Sequence, residues 1–255
     1  MARKPSVSVV IPTFNRKHSL LRALSSLPSD VEVIVVDDGS SDGTEHAVYG
    51  AKHPRLVFVG QENRGPAAAR NAGLAIASAP YVAFTDDDCV PVPPWPWPLV
   101  ERLEQEDERV AGVGGAVRPL NEGVLSRYYT FHRILEPPPT CAYLVTANCT
   151  YRLAQVLAVG GFDATIRQAG GEDPDLSMRI RASGFRFVFE PRGIVLHDYR
   201  ESLRDFVRTF YRYGRGCGYV MDKRTHPPAA ILEDRLGRLE GRLEDLCGGE
   251  AANPR

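Results

Sequence analysis

Tyr81-Val82-Ala83-Phe84-Thr85-Asp86-Asp87-Asp88-Cys89-Val90-Pro91 decides how the chain reads. A short apolar run of strand character ends on three consecutive carboxylates, and a turn follows. Three adjacent negative charges repel one another, so keeping them together asks for a partner. A hard divalent cation is the usual one, because such ions take oxygen ligands. Strand ends are also where open α/β sheets bind their ligands. Read alone, the triplet fits a solvated acidic turn equally well, and the flanking sequence has to decide.

Upstream, residues 6–11, 31–36 and 56–59 are short β-branched runs that read as buried parallel strands. Between them lie helical stretches: residues 18–27 with Leu20, Leu21, Leu24 and Leu27, a second starting near Asp42, and residues 65–79. This alternation predicts an α/β fold, a mostly parallel central sheet flanked by helices.

Downstream the texture changes. Val92-Pro93-Pro94-Trp95-Pro96-Trp97-Pro98 excludes regular sheet, because proline lacks the N–H and fixes φ. A helix over residues 99–106 and a glycine-broken strand over 110–117 follow. Residues 121–140 give no regular pattern, and 136–140 read as a loop. Further strands are expected at 141–148, 185–189 and 194–196, and helices at 151–159 and from Glu172 to Gly184.

From Tyr199 onward two helices are expected as a C-terminal appendage. The first combines an apolar stripe (Leu203, Phe206, Val207, Phe210) with Arg200, Arg204, Arg208, Arg212 and Arg215. Residues 200–224 hold seven Lys/Arg and three Asp/Glu, a local excess of +4. That is a solvated basic face or a contact with anionic lipid or a lipid-phosphate acceptor. In the second, Leu232, Leu236, Leu239, Leu243 and Leu246 form a heptad-like seam that packs on its own domain or zips a dimer.

Composition narrows the function classes. The 255 residues are 43% hydrophobic and 25% charged, with a net charge of −1. Nothing global attracts nucleic acid. Five scattered cysteines with no C-x-x-C pair suit reduced thiols and argue against zinc. No signal-peptide core or membrane-spanning run is evident. The expected location is cytoplasmic, or peripheral at the inner face of the membrane through residues 200–224.

Four polar clusters follow strands or open helices: Pro12-Thr13-Phe14-Asn15-Arg16, Asp37-Asp38-Gly39-Ser40, Asn63-Arg64-Gly65-Pro66 with Arg70, and the Asp86–Asp88 triplet. Each alone is ordinary, since Asp-Gly is a common turn and a single helical arginine is usually solvated. A parallel sheet, however, puts all four on one edge. Carboxylates, a metal site and an arginine together there suit a nucleotide diphosphate. A second acidic island, Glu172-Asp173-Pro174-Asp175, is either a helix cap or the source of a general base. His197 follows a strand and could neighbour a metal or phosphate, although a lone histidine is more often structural. The other five histidines read as surface.

In this order and spacing, the motifs resemble the family-two glycosyltransferases of the GT-A fold. The matching pieces are the segments beginning at Val7, Val33, Asn63 and Phe84, then Gly160-Gly161-Phe162-Asp163 and Gly171-Glu172-Asp173-Pro174-Asp175-Leu176. The resemblance covers roughly residues 6–200. It implies a GT-A domain over 1–199, with a nucleotide-sugar half at 1–91 and an acceptor half at 92–199, and a helical extension over 200–255.

The resemblance also implies roles. Pro12, Thr13, Phe14, Asp37, Asp38, Asn63, Arg70, Asp86 and Asp87 would bind the donor. Asp88, Asp86 and His197 would hold Mg²⁺ or Mn²⁺, and Asp173 would be the catalytic base. Trp95, Asn148 and Glu172 are expected on the acceptor side. The implied activity is inverting, metal-dependent transfer from a UDP- or dTDP-sugar to a hydroxyl of a saccharide, lipid-linked or other acceptor. Because the middle of the Asp-x-Asp element is itself aspartate, two of three carboxylates could hold the metal. Two rivals share much of this chemistry. A sugar nucleotidyltransferase would show a glycine-rich phosphate loop where Pro12–Arg16 stands, and a silent nucleotide-sugar-binding module would lack turnover.

Overall fold

The structure, a computed structural model, describes residues 5–223. The strands β1 (Val7–Thr13), β2 (Glu32–Asp37), β3 (Leu56–Gly60) and β4 (Tyr81–Thr85) alternate with the helices α1 (Lys17–Ser25), α2 (Thr44–Tyr49) and α3 (Pro66–Ile76). These four strands run parallel in the order β3-β2-β1-β4. Strand β1 is buried on both faces, which is why its sequence is continuously apolar rather than alternating. Its side chains still divide by the period of two. Val7, Val9 and Ile11 join the core layer beneath α1, while Val10 faces α3. Gly73 of α3 lets the helix approach, since a Cβ there would stand 2.5 Å from Val10 Cγ1.

The second half completes one eight-stranded sheet, ordered β3-β2-β1-β4-β7-β6-β8-β5. Its strands are β5 (Cys89–Pro91), β6 (Val110–Pro119), β7 (Asn148–Arg152) and β8 (Arg186–His197). Strand β7 lies antiparallel between β4 and β6, and β5 is antiparallel to β8. The sheet is therefore mixed but mostly parallel. Helices α4 (Trp97–Gln105) and α5 (Val124–Phe131) cover the α1 face. Helices α6 (Leu153–Ala158) and α7 (Glu172–Ala182) cover the α3 face. Helix α8 (Leu203–Lys223) lies against α5 and α7.

Several expectations change. Residues 141–148 are not a strand. Ala142–Ala147 are buried as irregular chain in the core, and the strand begins at Asn148. The following helix consequently starts at Leu153 rather than 151. The two late strands are one, β8, with irregular pairing to β6 at Gly115/Ala116. The unreadable region contains α5, and Cys89–Pro91, expected as a turn, pairs with β8. The leucine seam at 232–246 lies outside the described residues.

Candidate active site at the carboxyl edge of the parallel strands

The parallel strands end on one edge, and a cavity of about 540 Å³ opens there. Pro12, Thr13 and Phe14 reach it from β1, Asp38 from beyond β2 and Asn63 from the loop before α3. Arg70 enters from α3, the aspartate triplet from beyond β4 and His197 from the end of β8. The coincidence expected from the sheet is thus real for ten of the expected positions.

Asp38 organises the rim beside β1. Its backbone N–H donates to Thr13 O at 2.9 Å. Its carboxylate accepts Gln61 Nε2 at 2.7 Å and the amides of Arg64 and Gly65, each at 2.8 Å. A buried carboxylate needs such donors, and here it fixes the loop carrying Asn63. Gly65 has a φ of +90°, and a Cβ there would stand 2.2 Å from Arg167 O, so only glycine lets the 167–169 segment close this wall. Asp37 does not line the cavity. It is buried and accepts the Ser40 amide at 3.0 Å, bracing the turn behind Asp38.

The triplet separates into three environments. Asp87 is buried, accepts Thr13 Oγ1 at 2.8 Å and pairs with Arg16 at 3.1 Å. Burial and the neighbouring Asp88 push its carboxyl up to about 7. Asp86 pairs with Arg70 at 2.9 Å, and burial raises its pKa too. Asp88 is opposed by burial, but His197 and Arg16 outweigh it and hold the carboxyl below the ordinary value. Arg16 contacts Asp88 directly, and His197 Nε2 lies 3.4 Å from Asp88 Oδ1. Arg16, part of the first polar cluster but given no role from the sequence, is therefore central to the site.

Arg70 joins the two acidic islands. Nearly fully buried, it donates to Asp86 and, at 3.0 Å, to Glu172 Oε1. The other oxygen of Glu172 accepts the Gly170 and Gly171 amides at 2.7 and 2.9 Å. Glu172 is thus a buried partner of Arg70 and of the α7 approach, not a group facing the cavity. Asp173, half-buried beside it, accepts Thr146 Oγ1 at 3.0 Å and the Thr146 amide at 3.2 Å. Burial and then the Glu172 charge push its carboxyl up to about 7. Asp173 is not among the residues that line the cavity. Thr146 leaves part of its acceptor capacity open.

Trp95 and Asn148 are corrected. The indole of Trp95 is fully buried in the core and donates to Asn148 Oδ1 at 2.8 Å. The Asn148 amide donates to Ala116 O and Gly193 O at 2.8 and 2.9 Å. A buried indole N–H requires an acceptor, and this pair satisfies it inside the protein. Neither residue reaches the cavity. Its second wall is instead built from the 167–169 segment, Tyr129, Leu135 and the α8 residues Phe206, Arg208, Thr209, Arg212 and Tyr213. The arginine spacing in α8 was the sequence signal for this wall.

The donor set suits a divalent cation in part. Asp88, Cys89 and His197 offer ligand atoms within 4.8 Å of one another. Burial raises the Cys89 thiol well above its ordinary value, so it is a poor thiolate ligand. The oxygen of Asp88 and a histidine nitrogen remain, and His197 Nδ1 is buried without a hydrogen-bond partner among the described residues. Asp86 adds a second half-buried carboxylate on the same wall.

A model of glycosyl transferase family 2 matches residues 8–156, the segment that carries this edge. The chain belongs to that family. A model of glycosyl transferase family group 2 matches residues 107–236. The pre-mycofactocin glycosyltransferase of Mycobacterium tuberculosis is 36% identical over 220 residues, 82% of this chain and 46% of that protein. The validoxylamine A glucosyltransferase of Streptomyces hygroscopicus subsp. limoneus is 32% identical, over 71% of this chain and 49% of its own length. The chain thus spans about half the length of these two relatives.

Among solved structures, a mannosyltransferase from Pyrobaculum calidifontis in complex with GDP-Man and Mn²⁺ superposes with a TM-score of 0.68 at 23% identity. It covers 99% of this chain and 77% of the other. TarS of S. aureus in complex with UDP gives 0.61 at 20% identity, covering 83% and 65%. These likenesses establish the shared fold.

Proposed function

We propose that this domain transfers a sugar from a nucleotide-sugar donor to an acceptor hydroxyl, with inversion at the transferred carbon. The observation that carries the reading is the convergence of Thr13, Asp38, Asn63, Arg70, the aspartate triplet and His197 on one cavity. Pro12, Thr13, Phe14, Asp38 and Asn63 make the nucleoside end. Each carboxylate of the triplet is paired with an arginine, but Asp87 is buried and also held by Thr13, whereas Asp88 and Asp86 are half-buried; these two and His197 are assigned to Mg²⁺ or Mn²⁺. Such a cation, when bound, neutralises charge on the departing diphosphate. Two fold neighbours solved with UDP favour a UDP- or dTDP-sugar, and GDP-Man in the mannosyltransferase makes a guanine donor the comparison to run.

Asp173 is assigned as the base. An alcohol proton must be removed as the new bond forms, and a carboxylate near pH 7 is matched to that task. Burial and Glu172 raise Asp173 into that range, while Thr146 fixes its orientation. Its neighbour Glu172 is joined to the donor wall by Arg70, which bridges Glu172 and Asp86. An acceptor hydroxyl deprotonated opposite the departing diphosphate gives direct displacement, with inversion. The acceptor is a hydroxyl of a saccharide or lipid-linked molecule, in cell-surface polysaccharide or glycoconjugate synthesis. No described helix is long and apolar enough to cross a membrane.

A thermal-shift panel of UDP-, dTDP- and GDP-sugars with Mn²⁺, Mg²⁺ or EDTA tests the reading, because ligand binding stabilises by mass action. One nucleotide class should raise Tm in a metal-dependent way, and turnover of that donor should follow. Stabilisation without turnover of any kind would leave only a binding module.

A further inference from the structure

Helix α8 has two faces with different work. One closes the cavity: Phe206 and Phe210 pack on Tyr128 and Tyr129 of α5 with ring centroids 5.2–6.1 Å apart, and Tyr213 lines the cavity. The opposite face carries Leu203, Val207, Tyr211 and Met221, three to four residues apart or multiples of that, so they share a stripe. Leu203, Val207 and Tyr211 are 68%, 59% and 65% exposed. Next to it, α5 turns out Val124, Tyr128 and Phe131, again one stripe, with Val124 at 81% and Phe131 at 58% exposure. Eight of the thirteen exposed large hydrophobic residues described in the chain belong to these two helices. An apolar surface gathered on two packed helices marks an interaction site rather than scattered exposure.

The flank of this surface names the partner. Arg204, Arg208, Arg212 and Arg215 follow the stripe along α8, and the exposed Arg127 follows it on α5. None of Arg127, Arg204, Arg208, Arg212 and Arg215 has an acidic ion-pair partner among the described residues. Arg215 instead lies over the Tyr211 ring at 5.9 Å. Apolar side chains beside unneutralised arginines, with tyrosines between, complement the boundary between acyl chains and anionic headgroups. A protein partner would ask for acidic side chains facing these arginines along with apolar contact, whereas an anionic lipid surface supplies both at once.

We propose that α5 and α8 together form a docking face for an anionic lipid surface. The cavity lies on the other side of the same helix, and Arg208 and Arg212 belong to both its wall and the flank of the stripe. Docking therefore holds the cavity one helix away from the headgroups, with Arg208 and Arg212 between them, on the side from which a lipid-linked acceptor would come. Only this last clause rests on the transferase reading.

Co-sedimentation of the full chain with vesicles of phosphatidylcholine alone, or with about one third phosphatidylglycerol, tests the proposal. The chain should pellet with the anionic vesicles and be released as salt screens the arginines. L203S/V207S/Y211S should weaken binding at least about tenfold, since each exposed apolar anchor is lost. V124S/F131S should weaken it several-fold, and R204Q/R215Q should abolish the preference for anionic over neutral vesicles. Retention of the wild-type chain in the supernatant with both vesicles, or unchanged pelleting of the stripe variants, overturns the proposal. So does light scattering that shows a dimer dissolved by L203S/V207S/Y211S, which would make the face a contact between copies. Nucleotide thermal shift on the same preparations verifies the fold of the variants and reports separately on donor binding, so a docking failure and a transferase failure are told apart.

Discussion

The two walls of the cavity are built on opposite principles. On the strand-end wall every charge is held. Asp38 takes three donors, Asp87 is clamped by Thr13 and Arg16, and Arg70 bridges Asp86 and Glu172. On the α8 wall, Arg208 and Arg212 have no acidic partner among the described residues, and the helix has an exposed apolar back. The first wall is preorganised, which is what binding and charge stabilisation of a diphosphate require, because groups fixed in advance need no reorganisation. The second is available for whatever brings its own negative charge. Rigid donor recognition and a less committed acceptor side would follow from that difference.

Asp173→Asn should break the catalytic half of this contrast most severely. Transfer should fall about a thousandfold, within the range typical of a lost general base, while calorimetric donor affinity stays within about twofold. Wild-type turnover would remove Asp173 from the base role. The pH profile sharpens the same point. A base is active only when ionised, and with a carboxyl near 7 the rate should drop about tenfold per unit below pH 7 and level above it. Asp87 is raised into the same range by burial and Asp88 but takes no proton from the acceptor, so Asp87→Asn should keep the acid limb. A rate flat from pH 5 to 7 would contradict the assignment.

The stability contrast is next in size. Arg70→Met strips the partner from buried Glu172 and should cost about 3 kcal/mol, because an uncompensated charge stays behind. For a domain of this size that lowers Tm by roughly 6–12 °C in a thermal melt. Arg208→Met on the exposed wall should shift Tm by less than about 2 °C. Equal losses would mean that the walls are equally committed. The smallest effect belongs to Arg208→Gln, which should raise the KM for an anionic acceptor about threefold at constant kcat, measured by initial rates across acceptor concentrations.

The strand-end wall was legible in the sequence because its geometry is dictated locally. Buried parallel strands are continuous β-branched runs, each ends on a turn, and parallel pairing puts the ends together. Thr13, Asp38, Arg70 and the triplet follow from that rule alone. The other half resists it. Ala142–Ala147 are as apolar as a strand but are buried as irregular chain, while the true strand from Asn148 reads as polar because its asparagine serves the Trp95 indole inside the core. Trp95 resembles a sugar platform by composition and is a core residue by tertiary contact. The ion pairs of Arg16 and of Glu172 with Arg70 depend on residues 71 or more positions apart, so no local pattern announces them. The α8 arginines were visible as a stripe, but which face met the cavity required the packing of Phe206 and Phe210 on α5.

The central claim is that Asp88, with His197 and Asp86, holds a metal against a nucleotide diphosphate. Calorimetric titration of the nucleoside diphosphate selected by the thermal panel, into wild type and Asp88→Ala, with Mn²⁺ or with EDTA, measures it directly. Metal-dependent binding by the wild type, and affinity at least about tenfold weaker in Asp88→Ala, is the predicted result. Equal affinity with and without metal, or an unaltered Asp88→Ala, would contradict it.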